Sequence, residues 1–277
     1  MKVVDAHQHF WRQELMAQLA LPPETGILVQ DYLPDDLRPL LHQAGVQQTV
    51  LVQTNSSFRN TQKFLDLAEK YDWIAAVVGW VDLTDPHVGQ ILDSLKAFPK
   101  FKGARYQWED ESDPAWILRP DVLNGLHELA KRGHTYDLLA KPHNWQYVTK
   151  VADQLPDLSL VIDHIAKPNI AKQQFDDWAD MMTDADRYPQ VMCKLSGMVT
   201  QADWKTWKPT DLKPYVDKII QIFGPDRVLF GSDWPVCLLA GSYLEVVEAL
   251  QIALSNYDES AKIKILGENA VKFYRIT

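Results

Sequence analysis

The feature that most constrains this chain is an alternation. Eight short apolar or β-branched runs recur along it, at Val3–Phe10, Thr49–Thr54, Ile74–Val81, Phe101–Gln107, Thr135–Lys141, Leu158–Ile165, Gln190–Ser196 and Val228–Trp234. Several are continuously apolar, as strands are when both faces are covered. Between them lie stretches with helical spacing and a single apolar stripe. Asp85-Pro86 is followed by Val88, Ile91, Leu92 and Leu95, and Pro120 by Val122, Leu126, Leu129 and Ala130, with Gly133 just past the end. Asp211 precedes Leu212, Tyr215, Val216, Ile219, Ile220 and Phe223, before Gly224-Pro225. Eight strands alternating with one-sided helices predict a (β/α)8 barrel, one α/β domain over residues 1–277. A doubly wound open sheet is the alternative. It often carries a Gly-rich first turn, whereas the first run here passes into Asp5-Ala6-His7-Gln8-His9-Phe10-Trp11.

Charge and cysteine content narrow the function classes. A net charge of −9 argues against general binding to nucleic acid or to an anionic membrane. Two cysteines, Cys193 and Cys237, cannot form a disulfide framework. The first residues lack a signal-peptide core, and no apolar run approaches the roughly 18–20 residues of a membrane span. A cytoplasmic protein with reduced thiols is expected.

Barrel enzymes carry their chemistry at the C-terminal ends of the strands. Read in order, those ends carry His7 and His9; Gln53; Trp80 and Asp82; Arg105 and Gln107; Lys141 and then His143; Asp163 and His164; Lys194 and Ser196; Ser232 and Asp233. Core strands seldom end in such groups unless the groups meet partners. His7 and His9, two apart on a strand, share a face about 6.5–7 Å apart, so both imidazoles can converge on one cation, with Asp5 on the same face one step deeper. Asp233 closes the last strand and could bind metal, act as a base toward water, or cap a following helix. With His164 these residues form an N3O set suited to zinc, with room for a water. Arg105 is expected in the mouth of the barrel if Gly103 and Arg105 face inward. One of Lys194 and Ser196 is expected at the site. His143 reads as a rim residue, and Trp80, Trp108 and Trp234 could pack on the C–H face of a ring. Gln53, Lys102 and Gln107 complete the expected substrate contacts. The run Ile263–Tyr274 reads as a closing helix with no chemistry of its own.

Asp5-x-His7-x-His9 on the first strand and Asp233 of Gly231-Ser232-Asp233-Trp234-Pro235 on the last resemble the amidohydrolase superfamily, in its lactonase-type branch. Val50-Leu51-Val52-Gln53, Val78-Gly79-Trp80-Val81-Asp82-Leu83, Leu118-Arg119-Pro120-Asp121, Ile162-Asp163-His164-Ile165-Ala166-Lys167-Pro168 and Cys193-Lys194-Leu195-Ser196-Gly197 are similar to the sugar-lactone hydrolases of that branch. The resemblance runs essentially from residue 3 to residue 275. It implies hydrolysis of a five- or six-membered lactone to its hydroxy acid. His7, His9, His164 and Asp233 would hold one divalent metal, zinc first, although some relatives dispense with it. Asp233 would be the base, His164 a ligand or carbonyl polariser, and Arg105 the oxyanion partner. The implied partner is a small-molecule lactone, with a homodimer left open. The rival activity on the same scaffold is metal-dependent decarboxylation or hydration of a small unsaturated acid, which would call for several cationic groups in the pocket. A non-catalytic sugar-acid binder is the reading from another class.

Overall fold

The strand pattern closes on itself. In a computed structural model, which describes residues 2–17 and 22–277, eight parallel strands follow one another in chain order. They are β1 (Val4–Gln8), β2 (Gln48–Val52), β3 (Ile74–Gly79), β4 (Phe101–Tyr106), β5 (Thr135–Leu138), β6 (Leu160–Ile162), β7 (Val191–Leu195) and β8 (Val228–Phe230). A helix flanks the barrel after each strand; the one after β7, Pro209–Phe223, buries the predicted stripe of Leu212, Tyr215, Val216, Ile219, Ile220 and Phe223. The chain forms a (β/α)8 barrel, as the alternation predicts.

Side chains alternate across the sheet. Val50 and Val52 join an inner cluster with Val4, Ala6, Ala76, Val78, Val161 and Leu229, while Leu51 between them packs in the outer cluster beneath the helices. Phe273, Tyr274 and Ile276, from the end of the chain, belong to the inner cluster. That terminal run is helical up to Phe273, as expected of a closing element.

The strands stop earlier than the apolar runs predict. β6 ends at Ile162 and β8 at Phe230, and the residues beyond them leave the extended region. His164, Ile165, Ala166 and Lys167 all have positive φ, between 48° and 57°, and Asp233 has φ 59°. The seam between β1 and β8 is made past β8 by backbone pairs, His9 N–H to Trp234 O at 2.7 Å and Asp233 N–H to His7 O at 2.8 Å. Four expected site residues, His7, His9, Asp233 and Trp234, thus also close the barrel. Cys193 and Cys237 are buried and unpaired. No helix among the described residues is long and apolar enough to cross a membrane.

Candidate active site

The site starts from a break in β1. The ladder to β2 shifts register between Asp5 and Gln8, so simple alternation does not hold there. The expectation that Asp5 shares the histidine face is corrected accordingly. Its Oδ1 accepts the backbone N–H groups of His7 (3.1 Å) and Ser232 (2.8 Å), and its Oδ2 accepts the Tyr243 hydroxyl (3.2 Å). Burial pushes this carboxyl up to about 6 against those hydrogen bonds. Asp5 therefore ties the backbone before His7 to the backbone before Asp233.

Asp233 is where the histidines meet. Its Oδ1 lies 3.2 Å from His9 Nε2, 3.8 Å from His7 Nε2 and 3.9 Å from His164 Nε2. His7, His164 and Asp233 each offer a ligand atom within 4.8 Å of the others, and His9 stands beside that trio through its contact with Asp233. Burial holds the His7 imidazole well below its usual range, although Asp163 opposes this, and lowers His164 to about 4. Both rings are therefore neutral and can present a lone pair. Burial would raise Asp233, but His164, His9 and His7 outweigh it and hold the carboxyl well below the ordinary carboxylate range.

Two local features set His164. The four left-handed residues His164–Lys167 are anchored by Trp178 Nε1–H to Ile165 O (2.8 Å) and by the Lys167 ammonium on Glu109 Oε1 (2.5 Å). A β-branched residue such as Ile165 is rarely left-handed, so the surrounding contacts must impose the turn. Ser196 Oγ lies 2.9 Å from His164 Nδ1, and Gly197, at φ 61°, leaves room for the ring, since a Cβ there would sit 2.6 Å from Nδ1.

Beneath this rim is a buried ionic floor. Arg105 donates from Nη2 to Gln53 O (2.9 Å) and from Nη1 to Asp163 Oδ2 (3.2 Å), and the same Nη1 lies 3.2 Å from His7 Nε2. Lys194 Nζ lies 2.6 Å from Asp137 Oδ2, 3.0 Å from Asp163 Oδ1 and 3.1 Å from His7 Nδ1. The floor is balanced, Lys194 and Arg105 against Asp137 and Asp163. Burial pushes Asp137 up to about 6 against Lys194; it would raise Asp163 too, but Lys194, His7 and Arg105 hold that carboxyl well below its usual range. Among the described residues, no ammonium or guanidinium pairs with the Asp233 carboxylate.

That imbalance tests the fit of a metal. His9 Nδ1 lies 2.6 Å from Val52 O, a carbonyl that only accepts, so Nδ1 carries a proton. In the neutral ring, Nε2 then faces Asp233 Oδ1 at 3.2 Å lone pair to lone pair. A positive charge must relieve this contact, either a second proton on His9 or a cation beside both atoms. Neutral imidazoles around an uncompensated carboxylate suit a divalent ion.

The family profile described as Amidohydrolase matches residues 4–276. The chain belongs to the amidohydrolase family. Over 99% of its length this amidohydrolase is 36% identical to an L-fucono-1,5-lactonase of Burkholderia ambifaria, covering 95% of that protein. It is 34% identical to an L-fucono-1,5-lactonase of Burkholderia multivorans, with 99% of this chain and 96% of that one covered. A crystal structure of a Burkholderia multivorans amidohydrolase with bound zinc superimposes with a TM-score of 0.94, at 33% identity and with 100% of both chains covered.

The structure brings His7, His9, His164, Asp233 and Arg105 together and sends most of the expected substrate contacts elsewhere. Gln53 spends its side chain on the loop after β2, donating to Asn55 O (2.7 Å) and Ser57 O (2.9 Å) and accepting from Thr61 (2.7 Å). Lys102 stands near the start of β4 and donates to Arg275 O (3.0 Å), because two residues separate it from the Arg105 end of a short strand. Trp108 and Trp234 are core: the Trp108 N–H is held by Pro114 O (3.0 Å), and the Trp234 ring packs on Phe10 and Tyr32. Lys194 is wholly buried in the floor, where its charge meets two carboxylates. Gln107 and His143 are exposed. Trp80 is half-buried and lines a cavity of about 230 Å³ with Val81, Asp82, Tyr106, Trp116 and Arg119. Sequence reasoning left Asp163 without a role and passed over Asp137 and Tyr274. A charged residue inside the otherwise uncharged strand Thr135–Leu138 was the available signal for Asp137.

Proposed function

We propose that this amidohydrolase opens a small sugar lactone, an aldonolactone, to its hydroxy acid. The observation that carries the reading is the meeting of three histidines within 3.9 Å of the Asp233 carboxylate at the barrel mouth, with Arg105 beside His7. The Burkholderia lactonases related along nearly the whole chain support the substrate class.

Asp233, ionised across the neutral range, accepts a proton from water as the water oxygen bonds to the lactone carbonyl carbon. The carbonyl oxygen takes up negative charge, and the buried Arg105 guanidinium is the fixed donor assigned to it. As the ring C–O bond breaks, the proton held on Asp233 passes to the departing oxygen, so the hydroxy acid leaves with the atoms of lactone plus water. The metal assigned to His7, His9, His164 and Asp233 is zinc, which when bound supplies the Lewis acidity that eases the deprotonation of water. Trp80 is assigned to the C–H face of the sugar. Cytoplasmic location rests on the two unpaired buried thiols. The rival decarboxylase or hydratase calls for several cationic groups in the pocket; Lys194 is held by Asp137 and Asp163, which leaves Arg105 alone to serve it.

Proton release from a panel of five- and six-membered aldonolactones tests the reading, with enzyme as purified, chelated and zinc-restored. Hydrolysis lost on chelation and regained with zinc is expected. Hydrolysis indifferent to chelation removes the metal and keeps the lactonase, and silence across the panel overturns the activity.

A further inference from the structure

A cleft of about 610 Å³ lies apart from the catalytic residues and shares none of them. The segment after β6 supplies Phe175, and the segment after β7 supplies Asp203 and Trp207. The first turns of the helix Pro209–Phe223 supply Asp211 and Tyr215. Its walls are fixed locally. Trp207 Nε1–H donates to Ala240 O (2.7 Å), and the Tyr215 ring packs on Phe175 and Trp178, with centroids 5.2 Å and 5.1 Å away. Asp203 Oδ1 accepts the N–H groups of Lys205 (2.9 Å) and Thr206 (3.0 Å), and Asp211 Oδ2 accepts that of Lys208 (2.9 Å).

Two observations point to a ligand. Tyr215 is 3% exposed, and its hydroxyl finds no hydrogen-bond partner among the described residues. Buried hydroxyls are normally paired, so this one calls for a partner. The lining also carries two carboxylates and no lysine, arginine or histidine. A ligand here is therefore neutral or cationic, and the net charge of −9 draws cations toward the molecule.

The chemistry of the walls narrows the class. Phe175, Trp207 and Tyr215 carry π systems, which attract an ammonium through their quadrupoles. A primary ammonium has three N–H donors, enough for the Tyr215 hydroxyl oxygen and for both carboxylates. A neutral sugar satisfies the hydroxyl but leaves the two negative charges uncompensated. A quaternary ammonium compensates charge but leaves the hydroxyl without a partner.

We propose that this cleft binds a small protonated primary amine, at a site separate from the catalytic one. Tyr215, Asp203 and Asp211 receive its N–H groups, and Phe175 and Trp207 flank its charge. The proposal stands independently of the lactonase reading.

The test is a titration of the full-length enzyme with butylammonium chloride, followed by the nitrogen-15 resonance of the Trp207 indole, assigned with Trp207→Phe. A saturable shift is expected. Sodium chloride at equal ionic strength, and butanol, which keeps the chain without the charge, are expected to leave the resonance in place. Tyr215→Phe, which keeps the packed ring, should weaken binding about 5-fold by removing one hydrogen-bond partner. Asp203→Asn, which keeps an acceptor for Lys205 N–H and loses the charge, should weaken it about 3-fold. A Trp207 resonance indifferent to butylammonium overturns the site. An equal response to butanol, or to methyl glucoside as a neutral sugar, overturns the ammonium class. Affinity undiminished in either variant overturns the contacts assigned. Should Tyr215→Phe fail to fold, Asp203→Asn, at an exposed position, decides alone.

Discussion

The rim and the floor of the barrel mouth hold the same kinds of side chain in opposite electrical states. In the floor, Asp137 and Asp163 each meet a cation at 2.6–3.2 Å, and the side chains are 3% exposed or less. In the rim, Asp233 meets three imidazoles, two of them held neutral, and no ammonium or guanidinium pairs with it among the described residues. Burial acts on both regions alike; what differs is compensation. A balanced buried cluster holds geometry, because removing either partner strands a charge in a low-dielectric interior. An uncompensated carboxylate among lone pairs is poised to take a proton or a cation, and chemistry needs that imbalance.

If this contrast is right, the two regions fail in different ways. The largest expected effect is at the rim: Asp233→Asn should lose about 10²–10⁴-fold in kcat, the range for a positioned base, with a melting temperature no lower than wild type. Steady-state kinetics and a thermal melt check both halves, and near-normal turnover would remove Asp233 as the base. The floor should fail in the opposite sense. Lys194→Met leaves Asp137 and Asp163 without their shared cation and should cost about 3–5 kcal/mol of stability by denaturant titration. A loss below about 1 kcal/mol would show that the floor is not the balanced unit described here.

A smaller effect is expected where the rim is shaped. Gly197→Ala puts a Cβ 2.6 Å from His164 Nδ1 at a left-handed position, so kcat should drop about 10-fold while folding survives. Unchanged kcat would mean that the ring is free to move. Lys102→Met lies outside both regions and should leave kcat within about twofold, since its ammonium serves only Arg275 O. Acid provides the last control. Burial, reinforced by Arg275, depresses His134 to about 4 from an unfolded value near 6.5. The unfolded chain therefore binds more protons between those values, and stability falls as pH drops from 6.5 toward 4. His134→Gln should flatten that part of the pH–stability curve slightly, without touching kcat.

Much of this was legible in the residues. Period-two and period-3.6 patterns are local, so all eight strands and the barrel could be read from them, and polar residues at strand exits pointed to His7, His9, Arg105, His164 and Asp233. The strand ends were overrun because extended and left-handed residues look alike in composition; nothing in Asp163-His164-Ile165-Ala166 announces a left-handed turn at an isoleucine. The face of Asp5 was misread for a related reason, since a register shift is a property of two strands and not of one.

By itself, then, the sequence determined the elements, their order and the cluster of histidines with a carboxylate. Only the tertiary structure decided which charges are neutralised. Lys194 became floor instead of a substrate contact because Asp137, 57 residues away, lies 2.6 Å from it. Tyr274 reached the site because it packs in the inner cluster and bonds to Asp137 across 137 residues of chain. Periodicity is written between neighbours, but the compensation of a buried charge depends on whatever the closed barrel brings within hydrogen-bonding distance.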